Sequence, residues 1–166
     1  MFTTLLNIAR RHIIWFGAFK FVAGLAIGFM LGVYFLPILT AEQGLDEQSL
    51  AARQNSAERI GVFSRDLAGS DRFHWGEGQI MVNDTHIWLD GEIAPGPDYR
   101  LYLTPSFVET EADFLAIKDK SVMVSSIKAY KNFSVEIPVG ITARSYPAVL
   151  IWCEAFSEFV TAAALE

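Results

Sequence analysis

The sequence has a single cysteine, Cys153, so an intramolecular disulfide is excluded. It has no acidic residue before Glu42, and only three Lys or Arg there: Arg10, Arg11 and Lys20. A serine nucleophile elbow, a phosphate-cradling glycine loop and paired metal-ligand spacings are all missing. A stand-alone enzyme is therefore not the expectation. A basic stripe is missing too: beyond Thr40, ten Lys and Arg stand against nineteen Asp and Glu, a net charge of −9. That balance repels phosphate backbones and argues against nucleic acid as a partner. There is no internal repeat and no low-complexity tract.

Hydrophobic residues make up 52% of the 166, and the excess sits in the first 39. Residues 13–39 read IIWFGAFKFVAGLAIGFMLGVYFLPIL, with Lys20 as the sole charge. A helix of about 20 residues rises about 30 Å and matches the hydrocarbon core of a bilayer. The Lys20 stem is long enough to return its ammonium to the headgroups. Trp15 and Tyr34 stand at interfacial depths, and Pro37 falls near the far end. A cleaved signal peptide would have a shorter apolar run and small residues at its end. A retained single-pass anchor in the inner cell membrane is the expectation. The cations lie on the N-terminal side, so residues 1–12 form a cytosolic tail and the remainder is periplasmic or extracellular. Gly24, Gly28 and Gly32 share one helix face and would allow close approach of a second helix, as in self-association.

Residues 40–60 are polar and read as a solvated juxtamembrane linker, helical from an Asp46 cap to about Ile60. From Gly61 the pattern becomes β-like. Strands are expected at 78–82, 86–89, 99–104, 121–127, 132–138, 149–156 and 159–165, separated by turn signals such as 83–85 and Asp90-Gly91. Pro95 and Pro97 donate no backbone hydrogen bond and break any strand over 94–98. Residues 106–120 read as a loop or short helix. Short strands at this spacing predict an all-β fold, a small antiparallel sandwich or barrel over 61–166. About 105 residues suffice for a core without disulfides.

Cys153 is the foremost candidate for chemistry. On a strand it shares a face with Val149 and Ile151, opposite Trp152 and Glu154. That placement suits a buried inert thiol, and equally a thiol that ligates a haem or a metal or exchanges with a partner. His74 and His86 are the imidazoles of the domain, and His74 is the stronger second ligand because its glycine neighbours allow close backbone approach. Asp90, Glu92 and Asp98 are oxygen donors for Ca²⁺ or simple turn-formers. Asn83-Asp84-Thr85 and Asn132-Phe133-Ser134 fit the glycosylation pattern by chance alone.

The run from about 61 to 165 resembles the DM-thirteen family, an electron-transfer module. The resemblance is carried by Gly61-Val62-Phe63, by His74 with Gly76 and Gly78, and by Gly96-Pro97-Asp98 before Tyr99-Arg100-Leu101-Tyr102-Leu103. It continues through Tyr130 to Pro138, although a glycine usual in that region is not evident here. Its closest stretch ends in Trp152-Cys153-Glu154-Ala155-Phe156. It implies a small β-rich domain of exported or membrane-attached proteins, with Cys153 as a redox thiol or cofactor ligand. The electron donor would then be a separate membrane or periplasmic redox protein. The other reading is a binding or scaffolding domain in which Cys153 fills the core.

Overall fold

The structure is a computed structural model that describes residues 13–166. The expected cytosolic tail, with Arg10 and Arg11, lies outside the described residues. The chain divides into two units, one ending at Leu36 and one running from Pro37 to Glu166.

Helix α1 (Ile13–Leu39) is long and apolar enough to cross a membrane. At 1.5 Å per residue its 27 residues extend about 40 Å, more than a hydrocarbon core requires. Its apolar side chains are exposed all round, and Lys20 Nζ lies 4.6 Å from the Phe16 ring centroid. Nothing lies within 4 Å of a Cβ placed on Gly24, Gly28 or Gly32.

The second unit is a sandwich of two four-stranded antiparallel sheets. The strands are β1 (Arg59–Phe63), β2 (Gly76–Val82), β3 (His86–Ile93), β4 (Tyr99–Thr104), β5 (Val122–Ile127), β6 (Ser134–Glu136), β7 (Ala148–Cys153) and β8 (Glu158–Ala164). One sheet runs β1-β2-β3-β6 and the other β5-β4-β7-β8. The all-β expectation holds. Alternation sets the faces: Ile80, Val82, Ile87 and Leu89 of the first sheet meet Leu101, Leu103, Val149 and Ile151 of the second in one core. At one edge the sheets are joined by a reciprocal pair of 3.0 Å backbone bonds between Ile60 and Glu166.

Both outer faces are also covered, which is why β7 is buried along its whole length. On the second sheet, α3 (Glu111–Leu115), capped by Thr110, lays Phe114 onto Tyr102, Leu150 and Trp152. Residues 106–120 thus contain a short helix. On the first sheet the cover is α2 (Glu47–Gln54), whose Leu50 packs on Met81 and Trp88. Asp46 caps α2 as the pattern suggests, accepting from the Ser49 N–H at 2.7 Å, but the helix stops at Gln54 and β1 begins at Arg59. The segment read as a solvated linker is therefore docked from Glu42 onward, by Glu42 N–H to Lys128 O at 2.9 Å and Leu45 N–H to Asn132 O at 2.8 Å.

Asp90-Gly91 is not a turn, because β3 runs through it. Gly91 lies directly opposite Gly78 of β2, and both have positive φ, +154° and +122°. The expected strand at 132–138 shortens to β6, since Asn132 adopts φ 51°.

Candidate functional site

Residues 94–98 leave β3 at Ile93 and enter β4 at Tyr99, whose register partner is Cys153 at the end of β7. The loop following β5, the β7–β8 turn and the residues before β2 therefore gather at the same end of the sandwich. Trp75 O accepts from Ala94 N–H at 2.9 Å there.

Cys153 is fully buried and faces the core with Val149 and Ile151. Its Sγ–H donates to Pro97 O at 3.1 Å. Burial pushes the thiol pKa up, and the charges of Asp98 and Glu158 act in the same direction. The N–H groups of Phe156 and Ala155 oppose this without reversing it. The thiol is thus protonated at neutral pH, and the nucleophilic thiolate is suppressed in the closed structure. Above the loop, Tyr130 Oη–H donates to Gly96 O at 2.8 Å. The Tyr99 ring also lies against Gly96, edge-on to that of Tyr130 with centroids 6.1 Å apart.

His74 lies at the same end but is committed elsewhere, with Nδ1 3.2 Å from Asp71 Oδ1. Asp71 also accepts from the Phe73 and His74 N–H groups at 2.6 and 2.7 Å. His86 opens β3 at the opposite end, roughly 20 Å along the strand, with Nδ1 2.9 Å from Thr85 Oγ1. The carboxylates considered for Ca²⁺ disperse: Asp90 meets Gln54, Glu92 meets Arg65 at 3.2 Å, and Asp98 meets Arg100 at 2.5 Å. Among the described residues, no group of three or more His, Cys, Asp or Glu side chains is disposed to hold a metal ion. A haem or metal on Cys153 does not fit this packing, because Sγ is enclosed by core residues and bonded to Pro97 O.

One cluster escaped the sequence reading. On the outer face of the second sheet, Lys118 Nζ lies 2.8 Å from Glu154 Oε2, and Tyr102 donates its phenol proton to the same carboxylate. The ammonium also sits 5.2 Å from the Trp152 ring centroid. Burial alone would raise the Glu154 pKa, but bonds from Lys118 and Tyr102 outweigh it and hold the pKa below its usual 4.5. The same contact, added to burial, pushes the Tyr102 phenol well above its usual range. The cluster joins positions 36 residues apart, so no local spacing announces it.

A lowered folded-state pKa stabilises the fold above the unfolded value and loses that stabilisation as pH falls through the folded one. Urea midpoints of the full chain, measured from about pH 6 down to about pH 3, are therefore expected to fall less for Glu154→Gln than for the parent. Equal losses would show that Glu154 contributes nothing to acid sensitivity.

The protein-family model described as Electron transfer DM13 matches residues 67–165. The chain belongs to the DM13 family. No curated protein and no solved structure matches it. The DM13 match contains seven of the eight strands and Cys153, while β1 and α2 precede it. One edge strand of the first sheet, and the cover on that sheet's outer face, are therefore supplied by chain upstream of the family match.

Proposed function

We propose that the protein is a membrane-anchored, extracytoplasmic redox module in which Cys153 is the working thiol. The observation that carries this reading is membership of an electron-transfer family whose match includes Cys153. Supporting it are an N-terminal helix long and apolar enough to span a bilayer and the cations on its N-terminal side. Anchoring would confine the module to the same surface as a membrane or periplasmic redox partner and raise the effective concentration of each for the other. Helix self-association through Gly24, Gly28 and Gly32 is part of the proposal, and the open space over all three is consistent with it.

The enclosed, protonated thiol favours exchange in a transiently opened state over fixed cofactor ligation. In that exchange the Cys153 thiol gives up its proton and its sulfur attacks a partner disulfide. A mixed disulfide forms, and the partner's other sulfur leaves as thiolate.

The test equilibrates the full chain in detergent with glutathione disulfide and glutathione at set ratios, with mass readout. A reversible mixed disulfide that disappears in Cys153→Ala is the expected result. A thiol that stays reduced at every ratio until the domain unfolds would falsify the redox role. A C-terminal epitope on the same chain is expected to be digested by protease added to intact spheroplasts. Protection until lysis would place the domain in the cytosol.

A second reading, a non-enzymatic binding domain with Cys153 as core filling, is favoured by the complete burial of the residue. It predicts that Cys153→Ala lowers stability and leaves partner binding intact.

A further inference from the structure

We infer that residues 94–98 form a cap over Cys153, latched by the Tyr130 hydroxyl and coupled to the segment through which the chain enters the domain. Residues 95–97 are unusual in how they are held. Pro95 and Pro97 have no N–H to give, so the middle of the loop has no place in a ladder. Backbone bonds fix only its ends, Ala94 N–H to Trp75 O at 2.9 Å and Glu154 N–H to Asp98 O at 3.1 Å. Between them, the hydrogen bonds to 95–97 among the described residues come from two side chains. Tyr130 Oη–H reaches Gly96 O at 2.8 Å, and Cys153 Sγ–H reaches Pro97 O at 3.1 Å. The thiol is a weak donor, so the phenol carries most of the restraint.

A second observation makes this a loaded closure and not merely a packed loop. The Tyr99 hydroxyl lies close against Gly96, where an added Cβ would come within 2.3 Å of it, in a residue 1% exposed, and has no hydrogen-bond partner among the described residues. A buried hydroxyl without a partner disfavours the closed arrangement. Opening the cap would hydrate it together with the Cys153 thiol. Asp98, at φ 51°, stands where the cap rejoins β4 and is the natural hinge at that end.

Tyr130 sits on a segment gripped from both sides. Toward β3, Ile93 N–H donates to Tyr130 O at 2.8 Å and Asn132 N–H to Gly91 O at 2.9 Å. Toward the incoming chain, Glu42 N–H donates to Lys128 O and Leu45 N–H to Asn132 O. A Cβ on Gly44 would lie 1.9 Å from Lys131 O, so the two strands of chain touch with no slack. Moving residues 42–45 must move 128–132, and with it the latch. Access to the thiol is thereby tied to the state of the chain just past α1.

This inference rests on the redox reading only for its biological use; the cap itself stands on geometry. The test follows alkylation of Cys153 by N-ethylmaleimide at neutral pH in the full chain in detergent, with mass readout and a urea-unfolded reference. Tyr130→Phe removes the latch and is expected to raise the folded-state rate about tenfold, as loss of one hydrogen bond predicts, while that rate stays nearly independent of urea well below the unfolding transition. Gly44→Ala, which forces the incoming segment away, is expected to raise it in the same direction. An unchanged rate in Tyr130→Phe overturns the latch. A rate that climbs with urea as steeply as the unfolding equilibrium does overturns it too, since access would then follow unfolding. A Tyr130→Phe effect without a Gly44→Ala effect overturns the coupling. None of these rates depends on whether Cys153 forms a mixed disulfide, so the two proposals fail separately.

Discussion

Trp88→Ala is expected to lower the unfolding free energy of the second unit by about 3–5 kcal/mol, the range for deleting a buried large aromatic. Trp88 is wholly buried although it points away from the core between the sheets. It lies opposite Met81 in register, and Leu50 of α2 closes over both. Its Nε1–H has no partner among the described residues, so its contribution is packing alone. Trp88→Phe should therefore recover most of the loss. The measurement is urea unfolding of the full chain followed by the β-sheet circular dichroism signal. Limited proteolysis should also begin to cut within residues 45–57 in the alanine variant, because α2 would lose its seat. A loss under about 1 kcal/mol, in the range of ordinary surface changes, would mean that the upstream segment does not belong to the folded unit.

Gly78→Ala is expected to cost about 2–4 kcal/mol by the same measurement, combining backbone strain with collision. The φ of +122° suits glycine, and the added Cβ would come 2.2 Å from Asp90 O on the facing strand. Gly91 presents the mirror problem, its Cβ falling 2.1 Å from Glu77 O. Two glycines in direct opposition let β2 and β3 come closer than any pair with side chains could. A variant within about 0.5 kcal/mol of the parent would show that the two strands can separate there at little cost.

This glycine pair also shows where reading from sequence runs out. Asp90-Gly91 has turn chemistry, and nothing local says that its glycine is reserved for an opposing strand. The pairing that decides the matter is 13 positions away in register, Gly78 against Gly91. The same limit applies to residues 40–60. Their sparse apolar positions suggest a solvated stalk, yet Leu50, with Leu45 and Ala57 beside it, docks the segment, because Met81 and Trp88 offer an apolar outer face. Alternation within β2 and β3 assigns the two faces but does not reveal that both are covered. By contrast, YRLYLT at 99–104 is a strand as its pattern predicts, the strand expected at 149–156 is present but ends at Cys153 where the chain turns, and Cys153 lies on the face shared with Val149 and Ile151.

For the candidate site, sequence supplied the residue and not its surroundings. Cys153 stands out because it is the sole cysteine and lies in a family-like motif. His74 stands out for its glycine neighbours, yet Asp71 holds its ring. Tyr99 and Tyr130 enter the sequence reading only within a strand pattern and family-like stretches, with no site role, since an aromatic in a β pattern reads as ordinary core. Their hydroxyls matter only because both lie against Gly96 of the 94–98 loop.

The sequence by itself determined the apolar span, the charge asymmetry around it and the β class, because each depends on composition or on periods of a few residues, while the family is carried by short motifs in a fixed order. The tertiary structure alone decided that the chain past α1 is clamped to the domain, that Lys118 and Tyr102 converge on Glu154, and that a proline-broken loop encloses the thiol. Those contacts join positions tens of residues apart. They exist only once two sheets close on a shared core, and no local pattern encodes which distant groups that closure will bring into reach.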